Sequence, residues 1–160
     1  MANGLRWRSG QTVLVRGKVD SATVIEPGDL VYLDGDDVKP ASAFPWTTNL
    51  ATTQENFAEK FLGVAQEGSA AGSTAPISID VGSASVYEFA CAAGAFELGD
   101  DLGPDEASGS LMDQQLEAVS AAGRGIARAV ESTGAGATRV RVTLASAYFT
   151  GSANANAALG

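Results

Sequence analysis

With 160 residues and 45% hydrophobic content, the chain is long enough for one domain with a real core, built mainly from Ala, Val, Leu and Gly. It contains no histidine, a single cysteine and a net charge of −9. The first removes the commonest general base and metal ligand, the second leaves neither an internal disulfide nor a zinc site, and the third repels phosphate backbones.

The charge is unevenly spread. Residues 1–19 carry Arg6, Arg8, Arg16 and Lys18 and no acidic group, whereas no Lys or Arg lies between Phe61 and Gly123, where ten acidic residues do. A basic arm on an acidic body is what a part needs to dock one end onto an acidic partner. No run approaches the roughly 18 apolar residues of a bilayer span, and the N-terminus lacks the apolar stretch of a signal peptide. The sequence predicts a soluble protein with no membrane or nucleic-acid partner.

In chain order, residues 1–19 read as an N-terminal arm and first strand. Leu5, Arg6, Trp7 and Arg8 are the first candidate partner contact, since an aromatic flanked by arginines combines residue types that dominate interfaces. The competing reading is a first strand whose Trp7 caps its own barrel. Short period-2 strands cut by Gly, Pro and Asp turns are predicted over 12–16, 22–25, 29–33, 60–66, 76–81, 86–91, 116–120, 125–131 and 139–145. In the last, Val140, Val142 and Leu144 share one face and Arg139, Arg141 and Thr143 the other, as in a sheet with one wet side.

Asp34-Gly35-Asp36-Asp37 has clustered carboxylates, but it lacks EF-hand spacing and reads as a hairpin turn. The acidic stretches at Gly99-Asp100-Asp101 and Asp105-Glu106 also read as turns. Residues 38–53 form a long aperiodic loop holding the second candidate contact, Phe44 and Trp46, with packing onto the protein's own core as the alternative. A short helix is predicted over 52–60, capped by Thr52 or Thr53. Residues 114–122 have some helical spacing, but a strand is expected there. Cys91 lies in an apolar strand and reads as a small core residue, and residues 151–160 read as a tail.

An internal repeat is the most informative feature. Pro27-Gly28-Asp29-Leu30, Gly63-Val64-Ala65 and Ala75-Pro76-Ile77-Ser78-Ile79-Asp80-Val81 are matched by Leu98-Gly99-Asp100-Asp101-Leu102, Gly125-Ile126-Ala127 and Ala137-Thr138-Arg139-Val140-Arg141-Val142-Thr143-Leu144. The expectation is a mostly β protein: a small antiparallel β-barrel or β-tulip-like domain over 20–150. Its pseudo-repeats, 26–81 and 97–144, would close each other's sheet edges.

Catalytic patterns are missing. The serines have no histidine partner or Ser-x-x-Lys setting, no glycine run fits a phosphate loop or dinucleotide fingerprint, and no carboxylate pair stands out. No enzyme activity, catalytic residue, cofactor or metal is expected.

Three stretches resemble the small capsid decoration (cement, head-stabilising) proteins of tailed phages and prophages. They are Gly17-Lys18-Val19 leading into Val24-Ile25-Glu26-Pro27-Gly28-Asp29-Leu30-Val31, then Phe61-Leu62-Gly63-Val64-Ala65-Gln66-Glu67, and Gly125-Ile126-Ala127-Arg128-Ala129 with the closing strand. Residues 38–53 and the segment after Ala145 depart from the family's short form. The resemblance implies a β-barrel or β-tulip domain, often trimeric, on the outer surface of the virion shell after assembly in the host cytoplasm. Its implied partner is the major capsid protein, whose neighbouring subunits it bridges. Alternative readings are a head fibre base, a tail-associated β domain or an extracellular carbohydrate-binding module.

Overall fold

A computed structural model describes residues 4–149, so the expected tail at 151–160 lies outside the described residues. The fold is mostly β. One sheet has the order β2 (Leu14–Gly17), β6 (Ile77–Asp80), β5 (Phe61–Ala65), β3 (Leu30–Asp34) and β4 (Asp37–Pro40). The other runs β1 (Trp7–Ser9), β7 (Val86–Gly94), β11 (Ala137–Leu144), β10 (Ala127–Ala129), β8 (Asp101–Ala107) and β9 (Ser110–Ala118). A parallel pairing of Ala90 with Gln115 and Cys91 with Leu116 joins β7 to β9 and closes β7-β11-β10-β8-β9 into a five-stranded barrel, leaving β1 as an extra strand.

The first, antiparallel sheet repeats part of the hydrogen-bonding pattern of this barrel. Glu26 and Glu97 donate their backbone N–H groups to Asp29 and Asp100, forming the same side-chain-closed turn. Gly28 N–H bonds Ala65 O as Gly99 N–H bonds Ala129 O, both at 2.8–2.9 Å. Leu30 pairs with Val64 as Asp101 pairs with Arg128, and Val64 pairs with Asp80 as Arg128 pairs with Thr143. Leu14 opposite Asp80 then matches Val86 opposite Thr143. Even the parallel closure has its counterpart, since Lys18 bridges to Asp37 and accepts the Val38 N–H.

Two features differ from the expected repeat. The true register sets Gly63-Val64-Ala65 on Ala127-Arg128-Ala129, two residues beyond Gly125-Ile126-Ala127. Each half also curls towards closure on itself, β4 onto the end of β2 and β9 onto β7, so the halves do not complete one shared barrel.

The remaining differences are local. Residues 22–25 form no strand; only Ile25 bridges, to Ser69. Asp101, Asp105 and Glu106 belong to β8, whose Gly103-Pro104 pair disguises a strand with Leu102 and Pro104 buried. The strand expected at 116–120 begins earlier, at Ser110. Residues 38–53 contain β4, a 3₁₀ turn at Ala41–Ala43 and the start of the helix α1 (Leu50–Ala58). Asn49 caps α1 by accepting the Thr52 N–H at 2.9 Å. The Asp-Gly hairpin joins β3 to β4 as expected, with Gly35 at φ +61°.

Val31, Val38, Leu62, Ala65, Ile77 and Ile79 form the core cluster of the first sheet. The larger core combines the interior of the barrel with Leu30, Tyr32, Phe57, Phe61 and Val64, so α1 and the outer face of β3 and β5 are buried against it. Phe44 belongs here too: its ring stands edge-on to Tyr32 at 4.9 Å and to Phe57 at 5.4 Å.

The paired turns give a controlled comparison. Gly28 and Gly99 both sit in the left-handed region, at φ +98° and +92°. A Cβ on Gly99 would meet open space, whereas one on Gly28 would lie 2.5 Å from Leu5 N and 2.8 Å from Gly4 C. Gly99→Ala is expected to cost about 1–2 kcal/mol, from backbone strain alone. Gly28→Ala adds a backbone clash and should cost clearly more, as urea unfolding of the two variants will show.

Candidate interaction surface

Strand β1 lies along the outer edge of β7. Trp7 opposes Tyr87 and Ser9 opposes Val86, so Arg8 is the extra residue of a β-bulge. Arg6 contributes its carbonyl oxygen, which accepts the Glu88 N–H at 3.0 Å. The described part of the basic N-terminal segment is therefore a docked strand.

Across this edge three guanidinium groups converge on one carboxylate. Arg8 Nη2 lies 3.0 Å from Glu88 Oε1, Arg139 Nη1 lies 3.9 Å from the same oxygen, and Arg141 Nε lies 3.6 Å from Glu88 Oε2. Arg141 also reaches Glu131 at 3.9 Å. The Arg8 hydrogen bond, reinforced by the charges of Arg8, Arg139 and Arg141, holds the Glu88 carboxyl below its ordinary pKa. Glu88 stays ionised but cannot neutralise three cations, and the arginines are 41–47% exposed. A cationic face thus stands on an acidic chain, with Trp7 on the same strand 48% exposed.

The other candidate contacts separate. Leu5 is half-buried against the larger core and Phe44 is part of the aromatic cluster, whereas Trp46 is 39% exposed. Sequence reasoning placed Arg139 and Arg141 on a wet face but did not join them to Arg8. The period-2 pattern of β11 marked the face; the neighbour β7 came from a distant stretch of chain.

Elsewhere two acidic groups are tied into structure. Asp34 is held by Lys39 at 2.6 Å, and Asp113 accepts both the backbone N–H and the hydroxyl of Ser42. Among the described residues no three Asp, Glu or Cys side chains form a group able to hold a metal ion. Cys91 is buried, which raises its thiol pKa, with Asp105 adding to the effect. Among the described residues no helix is long and apolar enough to cross a membrane.

Asp29 carries a pH dependence. It is buried between the first sheet and the barrel, accepting the Glu26 N–H at 2.8 Å and Gln114 Nε2 at 2.7 Å. Burial pushes its pKa from 3.8 to about 6. Burial also raises Asp113 and Glu117, on the adjoining β9. A raised folded-state pKa means that the native protein binds the proton more tightly than the unfolded chain. Its stabilising effect is full below the unfolded value and is lost as pH rises through about 6. Urea midpoints are therefore expected to rise as pH is lowered from 7 to 5, and Asp29→Asn should flatten much of that rise.

No protein-family model and no curated protein matches the chain.

Proposed function

We propose that the protein is a structural decoration protein that attaches to the outside of a phage capsid and stabilises the mature shell by bridging major capsid subunits. The observation that carries this reading is the cationic face of β1, β7 and β11, where Arg8, Arg139 and Arg141 share Glu88. Positive charge on an otherwise acidic chain suits an acidic protein surface. The acidity of the rest of the chain disfavours nucleic acid as the target.

The resemblance of the Gly17–Val19, Phe61–Glu67 and Gly125–Ala129 stretches to decoration proteins adds the identity of the partner and a trimer as the expected assembly. Binding that favours the expanded lattice stabilises it by mass action, and repeated weak contacts over a symmetric shell supply avidity. Co-sedimentation with expanded, undecorated heads of the encoding phage is the test. The protein is expected to pellet with expanded heads and to stay in solution with unexpanded ones. Absence from both pellets would overturn the proposal.

A further inference from the structure

The repeat exposes a site that neither half shows alone. On the barrel, β1 covers the outer edge of β7 over Val86, Tyr87 and Glu88. The matching residues of the first sheet are Leu14, Val15 and Arg16 of β2, by their pairing with Asp80, Ile79 and Ser78. Strand β2 ends its sheet, and among the described residues no strand lies on that side of Leu14–Arg16. Among the described residues, the covering strand present in one copy of the fold has no counterpart in the other.

The backbone groups are arranged to receive one. Glu88 gives its N–H outwards to Arg6 O, and Arg16 occupies the equivalent place. Leu14 is 54% exposed and Val13 is 42% exposed, so an apolar stretch borders the open edge. An uncovered strand with outward-pointing amides is a template for strand addition.

Charge selects the occupant. Glu88 is approached from β11 by Arg139 and Arg141 and from β1 by Arg8. Its counterpart, Arg16, is held from one side only, by Pro76 O at 2.7 Å, Ser78 Oγ at 3.1 Å and Glu67 at 3.4 Å. The sign is inverted, so a strand like β1 would bring arginine against arginine there. That argues against a second copy's β1 and for a strand carrying a carboxylate.

We propose that the open edge of β2 binds an extended segment of a partner protein, which adds antiparallel to Leu14–Arg16 and places an acidic side chain beside Arg16. This holds whether or not the partner is a capsid subunit, and it concerns a face distinct from the Glu88 cluster.

The test uses two synthetic peptides on the full chain, read by NMR amide exchange. One contains Leu-Arg-Trp-Arg-Ser, as in β1, and the other contains Leu-Glu-Trp-Glu-Ser. The glutamate peptide is expected to slow exchange at the Leu14 and Arg16 amides about tenfold or more, and the arginine peptide to leave them unchanged. Arg16→Glu, a change at an exposed side chain, should reverse that preference. Protection by neither peptide would overturn the proposal. Equal or better protection of the unsubstituted protein by the arginine peptide would also overturn it, pointing to a second copy's β1.

Discussion

Asp80→Ala is expected to lower the unfolding free energy by about 3–5 kcal/mol. The Asp80 carboxylate is fully buried and accepts four hydrogen bonds. Oδ1 takes the backbone N–H groups of Val13 at 3.0 Å and Gly82 at 2.8 Å, while Oδ2 takes the hydroxyls of Ser85 at 2.6 Å and Tyr87 at 2.7 Å. Tyr87 also accepts Gln66 Nε2 at 2.9 Å. The group thus ties the entry to β2, the end of β6 and the start of β7 into one network joining the first sheet to the barrel. Alanine would take the shared acceptor from four donors, three of them in buried bonds, and the losses would not be additive because the donors share one acceptor.

Tyr87→Phe removes one of those donors and should cost only about 1–2 kcal/mol. Chemical denaturation followed by circular dichroism measures both. An Asp80→Ala variant within about 1 kcal/mol of the parent would contradict the assigned role. Thr143 occupies the matching place in the barrel, so the network belongs to one repeat only.

Neutralising the cationic face should have the largest effect on attachment. Combined Arg8→Gln, Arg139→Gln and Arg141→Gln substitution is expected to weaken head binding by about a hundredfold or more. The fold should survive, because surface ion pairs of this exposure contribute only about 0–1 kcal/mol each. Glu88→Gln has the opposite expected sign. It removes the carboxylate that partly neutralises the three arginines, so binding should be retained or tightened. Titrating labelled protein onto heads in rising salt reads both variants; equal loss with either would show that the cluster acts through structure and not through its charge.

These point substitutions are cleaner than truncation. Deleting residues 1–10 would strip β1 from β7 and uncover an edge, disturbing the fold and the surface together.

Much of the fold is legible in the residues themselves. The Gly-Asp turns are visible because a left-handed backbone followed by a side-chain-closed turn needs that pair, so Gly28-Asp29 and Gly99-Asp100 announce the duplication. Val140, Val142 and Leu144 announce β11 by strict alternation. The repeat register was obscured for a physical reason: a strand's side chains repeat every two residues, so small and aliphatic residues match as well after a slip of two. The stronger marker was Glu67 with Ser69 against Glu131 with Thr133, where Ser69 and Thr133 make equivalent backbone bonds to Ile25 and Phe96.

The interaction surface was only half legible. Trp7 and Arg8 stand out by type, and Arg139 and Arg141 by position on a wet face. Their meeting at Glu88 depends on which strands become neighbours, and no local pattern encodes that. The uncovered edge of β2 was hidden for the same reason, since it emerges only from the strand order of the folded sheets.

The most direct measurement of the capsid reading is a cryo-EM map of expanded heads, lacking their own decoration, incubated with saturating purified protein. The account predicts ordered density on the outer shell at sites between neighbouring capsid subunits, with Arg8, Arg139 and Arg141 turned towards an acidic capsid surface. Shells that remain bare at saturating protein, or density that turns this face to solvent, would contradict it.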